Sequence, residues 1–124
     1  MWIYKQSTGE ISNSDSPSVT YKGYSGRQGV YQNNPAYQEI PNLGPIPQGK
    51  WGILGPPVNT STHGPYVLHL YAKQGTNAFG RSGFLIHGDS LEHPGQASEG
   101  CIILSRLARH IIWESNDRNL EVVA

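Results

Sequence analysis

Apolar residues occur along this chain in short runs that are separated by turn-forming residues. The clearest run covers residues 66–72, where Leu68 and Leu70 alternate with Val67 and His69. This period of two predicts a strand with one buried face. Six further runs predict short strands at residues 2–4, 19–24, 51–54, 84–86, 102–104 and 120–123.

Turn-forming residues divide the chain between these strands. Residues 12–18 are polar and predict a loop. Residues 26–49 contain repeated Asn, Pro and Gly, so we expect no regular structure there and expect the segment to bind something or to be mobile. Gly55, Pro56 and Pro57 are expected to end the strand at residues 51–54.

A single helical pattern lies near the end of the chain. After Ser105, a predicted N-cap, apolar residues recur at helical spacing over residues 107–112. A chain of 124 residues has the usual size of one compact domain. The pattern therefore predicts one mainly β domain, residues 1–124, with one short C-terminal helix.

Composition and charge narrow the classes of partner. Nine Lys and Arg balance nine Asp and Glu, so no excess charge favours nucleic acid or an acidic membrane surface. No apolar run approaches the ~20 residues that cross a bilayer, and residues 1–8 lack the charged and apolar regions of a signal peptide. We therefore expect a protein made in the cytoplasm, with no membrane insertion.

The single cysteine, Cys101, is the candidate nucleophile. His87 follows one predicted strand, Cys101 precedes the next, and residues 88–100 form the loop between them. If the two strands pair antiparallel, the imidazole and the thiol lie side by side in one hairpin, and the imidazole can serve as general base. The backbone N–H groups of Gly100 and Cys101 are then candidate oxyanion-hole donors.

The same residues also permit a structural interpretation. An isolated cysteine beside isoleucines is often an inert core residue, and a histidine at a strand end is often a surface residue. His93, inside the loop, is an alternative base for Cys101. The five histidines form no metal-ligand pattern, so we expect no metal ion. A mechanism based on a cysteine nucleophile also needs no organic cofactor.

Both ends of this loop resemble the active-site signature of L,D-transpeptidases, a His-Gly pair followed by Ser/Thr-x-Gly-Cys. The matching segments are His87-Gly88-Asp89 and Ser98-Glu99-Gly100-Cys101-Ile102. Over nearly the whole chain, the sequence is similar to the small subfamily of L,D-transpeptidase-like effectors of type VI secretion. The further matches are Gly23-Tyr24-Ser25-Gly26, Asn33-Asn34-Pro35, Gly44-Pro45-Ile46-Pro47 with Gly49, Arg81-Ser82-Gly83-Phe84, and Arg106.

This resemblance implies an L,D-transpeptidase-like β-sandwich or barrel that acts on the tetrapeptide stems of peptidoglycan. Cys101 would attack the carbonyl at the L-centre of diaminopimelate and expel the terminal D-alanine, with His87 as general base. Water would resolve the thioester in L,D-carboxypeptidase action, and an amine acceptor would give L,D-transpeptidation. Such an antibacterial toxin would reach the periplasm of target bacteria through a type VI secretion component and would require an immunity protein.

Two positions depart from the better-known transpeptidases. Glu99 stands where those enzymes usually carry a second histidine, and Ile103 stands where they usually carry an arginine. Arg81 and Arg106 are therefore candidates for binding a substrate carboxylate, and either can instead be a surface or bracing residue.

The remaining site residues are candidates for orienting the histidine or binding substrate. A backbone carbonyl near Gly88 or the Asp89 carboxylate would fix the tautomer of His87, and Ser98 belongs to the same candidate set. Two other functions also stay open. One is a non-catalytic cell-wall-binding or phage structural module with the same fold, and the other is a general cysteine peptidase, which would cleave all-L peptides.

Overall fold

A computed structural model describes all 124 residues of the chain. The strands are β1 (Trp2–Lys5), β2 (Glu10–Asn13), β3 (Ser16–Lys22), β4 (Tyr24–Ser25), β5 (Gly49–Thr60), β6 (Gly64–Ala72), β7 (Leu85–His87), β8 (Ile102–Ile103) and β9 (Asn119–Val123). The helices are α1 (Arg106–Glu114) and one 3₁₀ turn, Pro35–Tyr37. All nine strands form one nearly closed sheet in the order β3-β2-β1-β9-β5-β6-β7-β8-β4. The predicted mainly β, single-domain fold with one short helix is confirmed.

The core fills the concave face of this curled sheet and is covered by α1. On β6, Leu68 and Leu70 belong to the core, whereas His69 and Tyr71 are exposed, which confirms the predicted alternation over residues 68–71. Val67, predicted on the same face as His69, is instead fully buried, outside this core. The core comprises sixteen buried side chains: Trp2, Tyr4, Ile11, Ile46, Trp51, Ile53, Leu68, Leu70, Phe84, Ile86, Ile102, Leu104, Ala108, Ile112, Leu120 and Val122.

The predicted helix is confirmed together with its N-cap. The Ser105 hydroxyl accepts a hydrogen bond from the Ala108 N–H at 3.2 Å, which satisfies one of the free donors of the first turn. Ala108 and Ile112 pack into the core. The helix is nine residues long, and no helix of the protein is long and apolar enough to cross a membrane.

The polar segment at residues 12–18 is not the loop that its composition predicts. β2 and β3 pair antiparallel across it, and only residues 14–15 form the turn. The pattern misleads because β3 is an edge strand whose side chains are almost all exposed. Such a strand needs no alternating apolar face.

β5 also extends beyond its predicted end at the Gly-Pro-Pro sequence, as far as Thr60. Its register with β6 shifts from Leu54 opposite His69 to Val58 opposite Val67. The prolines therefore lie in a bulge, where no ladder hydrogen bond requires their missing N–H. As a result, β5 and β6 form one long hairpin that ends in a turn at residues 61–63.

Segment 26–48 has no regular structure apart from the 3₁₀ turn, as predicted. It packs against the loop between β7 and β8. The Gln32 side-chain amide donates to the Gly95 carbonyl at 2.9 Å, and the Gly26 N–H donates to the Ser98 hydroxyl at 2.9 Å. This segment therefore supports the loop that leads to Cys101.

β7 and β8, which flank the two candidate catalytic residues, pair in parallel. Ile86 lies opposite Ile102, and His87 lies opposite Ile103. The predicted antiparallel hairpin is therefore wrong. Parallel neighbours need a crossover of a dozen or more residues, and the connection over residues 88–101 is long enough to provide one. β4 takes the antiparallel position on the other side of β8.

Candidate active site

An open cleft of about 1150 Å³ lies where β7 ends and α1 begins. His87 and Cys101 both line it. Cys101 directly precedes β8, in which Ile103 lies opposite His87. The parallel register therefore leaves Cys101 two residues before the partner of His87, and both candidates line one cleft.

His87 is held in one orientation by the backbone. Its Nδ1 lies 2.8 Å from the Gly88 carbonyl oxygen, and because a carbonyl only accepts, Nδ1 carries the proton. In the neutral ring, Nε2 then keeps its lone pair. Nε2 has no hydrogen-bond partner in the protein and is not sealed from solvent. The ring therefore presents an unprotonated nitrogen, which is what a general base requires.

The surroundings of His87 keep the ring neutral. Burial lowers its pKa most, and the nearby His63 and Arg109 lower it further, while the Gly88 hydrogen bond and the Asp89 charge act in the opposite direction. The side chain is only 3% exposed. The neutral form is therefore favoured over a wider pH range than for an exposed histidine.

Cys101 is partly exposed, and its thiol lies 3.9 Å from the Gly83 carbonyl oxygen. Burial raises the pKa of the thiol, and Glu99 raises it further; a contact with the Leu85 backbone and the charge of Arg81 lower it. No hydrogen bond joins the sulfur to His87. The raised pKa and the missing hydrogen bond both disfavour a thiolate–imidazolium pair in the free protein.

The backbone before Cys101 is shaped by Ser98, which is 2% exposed. Its hydroxyl accepts from the Gly100 N–H at 3.1 Å and donates to the Cys101 carbonyl at 2.6 Å. Gly100 was one of the two candidate oxyanion donors, and its N–H is engaged by this bond. The Cys101 N–H has no partner in the protein and is the donor that remains.

Asp89 organises the loop rather than the histidine ring. Its carboxylate accepts from the Tyr24 hydroxyl at 2.6 Å and from the N–H groups of Ser90 and Gly95. The same Tyr24 oxygen accepts from the Ala97 N–H at 2.9 Å. Burial and the Asp89 hydrogen bond raise the pKa of Tyr24. Of the two candidate orienting groups, the Gly88 carbonyl is the one in contact with the His87 ring.

Arg81 braces the cysteine side of the cleft. Its guanidinium donates to the carbonyl oxygens of Gln38, Pro45, Gly44 and Glu99 at 2.6–3.2 Å. Both terminal nitrogens are thereby occupied. Arg81 thus ties segment 26–48 to the residues just before the nucleophile and has few donors left for a substrate carboxylate.

The other two candidates that the sequence offered lie in different settings. Arg106 is exposed, lines the cleft and makes no side-chain hydrogen bond or ion pair. His93, the alternative base, is exposed and does not line the cleft. No group of three or more His, Cys, Asp or Glu side chains is arranged to hold a metal ion.

Two residues of the cleft were missed by sequence reasoning. His63, at the tip of the β5–β6 hairpin, lies with its ring centroid 4.7 Å from that of His87. Arg109, on α1, is 4% exposed and lines the cleft beside Gly88. The long hairpin was missed because the sequence predicts that β5 ends near Leu54. Arg109 lies one helical turn after the N-cap, a spacing that directs its side chain back toward the start of α1.

Fold and site together define a small mainly β protein in which a cysteine and a histidine face one cleft. A family model described as the Tlde1 domain matches residues 19–124. The chain belongs to this family, the type VI secretion L,D-transpeptidase effectors. The match includes every residue that lines the cleft. A search of curated proteins found no significant match.

Proposed function

We propose that this protein is a cysteine-dependent L,D-carboxypeptidase and L,D-transpeptidase that acts on the tetrapeptide stems of peptidoglycan. The observation that carries the proposal is the orientation of His87, whose Nδ1 is held by the Gly88 carbonyl while Nε2 is free in the cleft that Cys101 lines. Family membership supports the substrate class, since the family is one of L,D-transpeptidase effectors.

In the first half-reaction, Nε2 of His87 takes the thiol proton as Cys101 Sγ attacks the carbonyl at the L-centre of diaminopimelate. The C–S bond forms, and the carbonyl oxygen becomes an oxyanion that the free Cys101 N–H is able to stabilise. The C–N bond then breaks, His87 returns the proton to the departing amine, and D-alanine leaves. A thioester on Cys101 remains.

In the second half-reaction, water or an amine attacks this thioester. His87 accepts a proton from the attacking group, the C–S bond breaks and the proton returns to the sulfur. Water yields the shortened tripeptide, and an amine yields an exchanged or crosslinked stem. Both outcomes regenerate the thiol, and neither needs a cofactor.

The electrostatics favour general-base catalysis over a preformed ion pair. Burial lowers the pKa of His87 and raises that of Cys101, so both groups are neutral near pH 7 and the proton moves during attack. Catalytic hydrogen bonds are often long in a free enzyme and tighten when substrate binds.

We also propose an antibacterial role that follows from the family. The protein would be made in the cytoplasm, carried by a type VI secretion component and released in the periplasm of a target cell. Removal of terminal D-alanine consumes the tetrapeptide donors that wall crosslinking requires. A producer exposed to the same activity would need an immunity protein.

The test is the release of D-alanine from purified disaccharide-tetrapeptide, followed by mass spectrometry. We expect turnover by the unaltered protein, none by Cys101→Ala, and a loss of about 10²- to 10⁴-fold in His87→Ala. His69→Ala is the matched control because His69 is exposed on β6 and lies outside the cleft. Equal yields from all four proteins would refute the mechanism.

A non-catalytic cell-wall-binding module is the second candidate, and one observation favours it. The raised pKa of Cys101 and the absence of a bond to His87 describe a thiol that is inert in the free protein. This candidate predicts binding to peptidoglycan without release of D-alanine. A general cysteine peptidase would instead cleave an all-L tetrapeptide. Testing that peptide beside the disaccharide-tetrapeptide therefore distinguishes all three functions.

A further inference from the structure

The side chain of Arg109 is fixed in place by the backbone around it. Its Nε donates to the Ser105 carbonyl at 3.3 Å, and its Nη1 donates to the carbonyls of Pro65 and Tyr66 at 2.7 and 3.2 Å. These bonds join the first turn of α1 to the start of β6. A guanidinium with three such anchors has little freedom to move, so the direction of its remaining nitrogen is set before any ligand arrives.

That remaining nitrogen, Nη2, is unused by the protein. Nη2 makes no hydrogen bond within the protein, and it is accessible to solvent. It therefore faces the cleft that Arg109 lines. It lies against Gly88, where an added methyl group would be only 2.9 Å away. The free donor is therefore next to the residue that orients His87.

The charge of Arg109 has no counterion in the protein. Its side chain is 4% exposed, and neither of the two ion pairs in the structure includes it. Buried charges are normally paired. Burial and the neighbouring Arg106 lower the pKa of Arg109, because both disfavour the cation. An anion bound in the cleft would supply the counterion that Arg109 lacks within the protein.

We propose that Arg109 binds the terminal carboxylate of the D-alanine that leaves in the first half-reaction. The inference rests on the proposed function for the identity of the ligand. His87 has to protonate the departing amine, and the carbon next to that amine carries the carboxylate. A cation beside His87 is therefore placed for this group, and its free Nη2 is able to donate to a carboxylate oxygen.

The other arginines fit this role less well. Arg81 has both terminal nitrogens bound to carbonyls on the cysteine side of the cleft, and its charge acts on Cys101. The charge of Arg109 acts on His87 instead. Arg106 lines the same cleft but is exposed and unanchored. The leaving-group side thus has one buried, fixed donor.

The experiment compares a tetrapeptide stem with the same stem ending in D-alaninamide, using kcat/KM for release of the last residue. Loss of a charged hydrogen bond is worth about 10- to 100-fold, so we expect the unaltered protein to prefer the carboxylate by that factor. Arg109→Gln should reduce the preference to under about 3-fold. Arg27→Gln should keep the full preference, because Arg27 is exposed and outside the cleft.

A preference that survives in Arg109→Gln, or that disappears in Arg106→Gln instead, would overturn the proposal. A second measurement needs neither activity nor an altered arginine. In Cys101→Ala, the Arg109 side-chain ¹⁵N signals should shift with N-acetyl-D-alanine and not with N-acetyl-D-alaninamide. If both compounds shift them equally, Arg109 does not recognise the carboxylate. If the unaltered protein releases no D-alanine, the proposed function fails, and this NMR result still decides the role of Arg109.

Discussion

The two sides of the cleft hold an arginine in different ways. On the cysteine side, Arg81 donates to four carbonyl oxygens through both terminal nitrogens. On the histidine side, Arg109 donates to three carbonyls and leaves Nη2 without a partner. Both arginines line the same cleft, so they differ in their hydrogen bonds and not in their access to a ligand in the cleft.

This difference separates a bracing residue from a recognition residue. Arg81 contributes structure because both of its terminal nitrogens are bound to carbonyls within the protein. It influences chemistry through its charge, which lowers the pKa of Cys101 against the larger effect of burial. Arg109 is braced as well, but it has one donor left for a ligand. A free terminal nitrogen, present in Arg109 and absent in Arg81, assigns the two roles.

The largest effect should follow from removing the brace. Arg81→Met leaves four carbonyls without this donor, two of them on the buried residues Gly44 and Pro45. Unsatisfied buried acceptors cost about 1–3 kcal/mol each before the loops relax. We expect the free energy of unfolding to fall by about 3 kcal/mol, measured by urea denaturation. The reacting cysteine should also become more accessible to a thiol reagent, because segment 26–48 is no longer tied to Glu99.

Arg106→Met is the matched control for this prediction. Arg106 is exposed and makes no side-chain hydrogen bond or ion pair, so its loss should change stability by less than about 0.5 kcal/mol. Equal stabilities of the two variants would show that Arg81 does not brace the site.

A smaller but still large effect is expected at Gly100, where the backbone turns into the nucleophile. Its φ is +145°, and an added methyl group would lie 2.5 Å from Arg81 Nη2 and 3.1 Å from the Phe84 ring. Gly100→Ala should therefore cost about 2–3 kcal/mol of stability, since both backbone strain and contact act against it, and it should lower kcat.

Gly29→Ala separates these two causes. Gly29 has φ of +109°, but nothing lies within 4 Å of the added methyl group. Gly29→Ala should therefore lose about 1 kcal/mol of stability, which comes from backbone strain alone. If both variants lose the same stability, the contact with Arg81 has no influence and the loop adapts around the new side chain.

Sequence reasoning succeeded where the pattern reports burial. The alternation over residues 68–71, the capped helix after Ser105 and the lack of strands over residues 26–48 all appear as predicted. It failed at β3 and at the second half of β5, where an exposed edge and a proline-containing bulge remove the apolar period. The antiparallel pairing of β7 and β8 was also wrong, because the sequence gives the loop length but not the direction of the crossover.

The residues of the candidate site also divide into those that the sequence could identify and those that it could not. His87 and Cys101 could be named from residue type and spacing, and the structure brings them to one cleft. His63 and Arg109 could not, because each reaches the cleft through tertiary packing. His63 depends on the full length of the β5–β6 hairpin, and Arg109 depends on how α1 lies over β6 and β7.

The smallest effect concerns pH and tests the histidine side alone. Burial, His63 and Arg109 all lower the pKa of His87, so the base form persists below the ordinary histidine pKa of about 6.5. The acid limb of kcat/KM should therefore fall below pH 6.5. His63→Ala removes the electrostatic effect of His63, which lowers the pKa of His87, and uncovers the ring that His63 contacts. Both changes favour protonation of His87. The limb should then move to higher pH, which NMR titration of His87 checks independently.

His110→Ala is the control for this shift. His110 stacks on Tyr66 with ring centroids 3.7 Å apart and does not line the cleft, so the pH profile should stay unchanged. A limb that moves to lower pH in His63→Ala would mean that His63 favours the protonated form of His87. The histidine side of the cleft would then stabilise a positive charge on His87, which would contradict the conclusion that its surroundings keep the ring neutral.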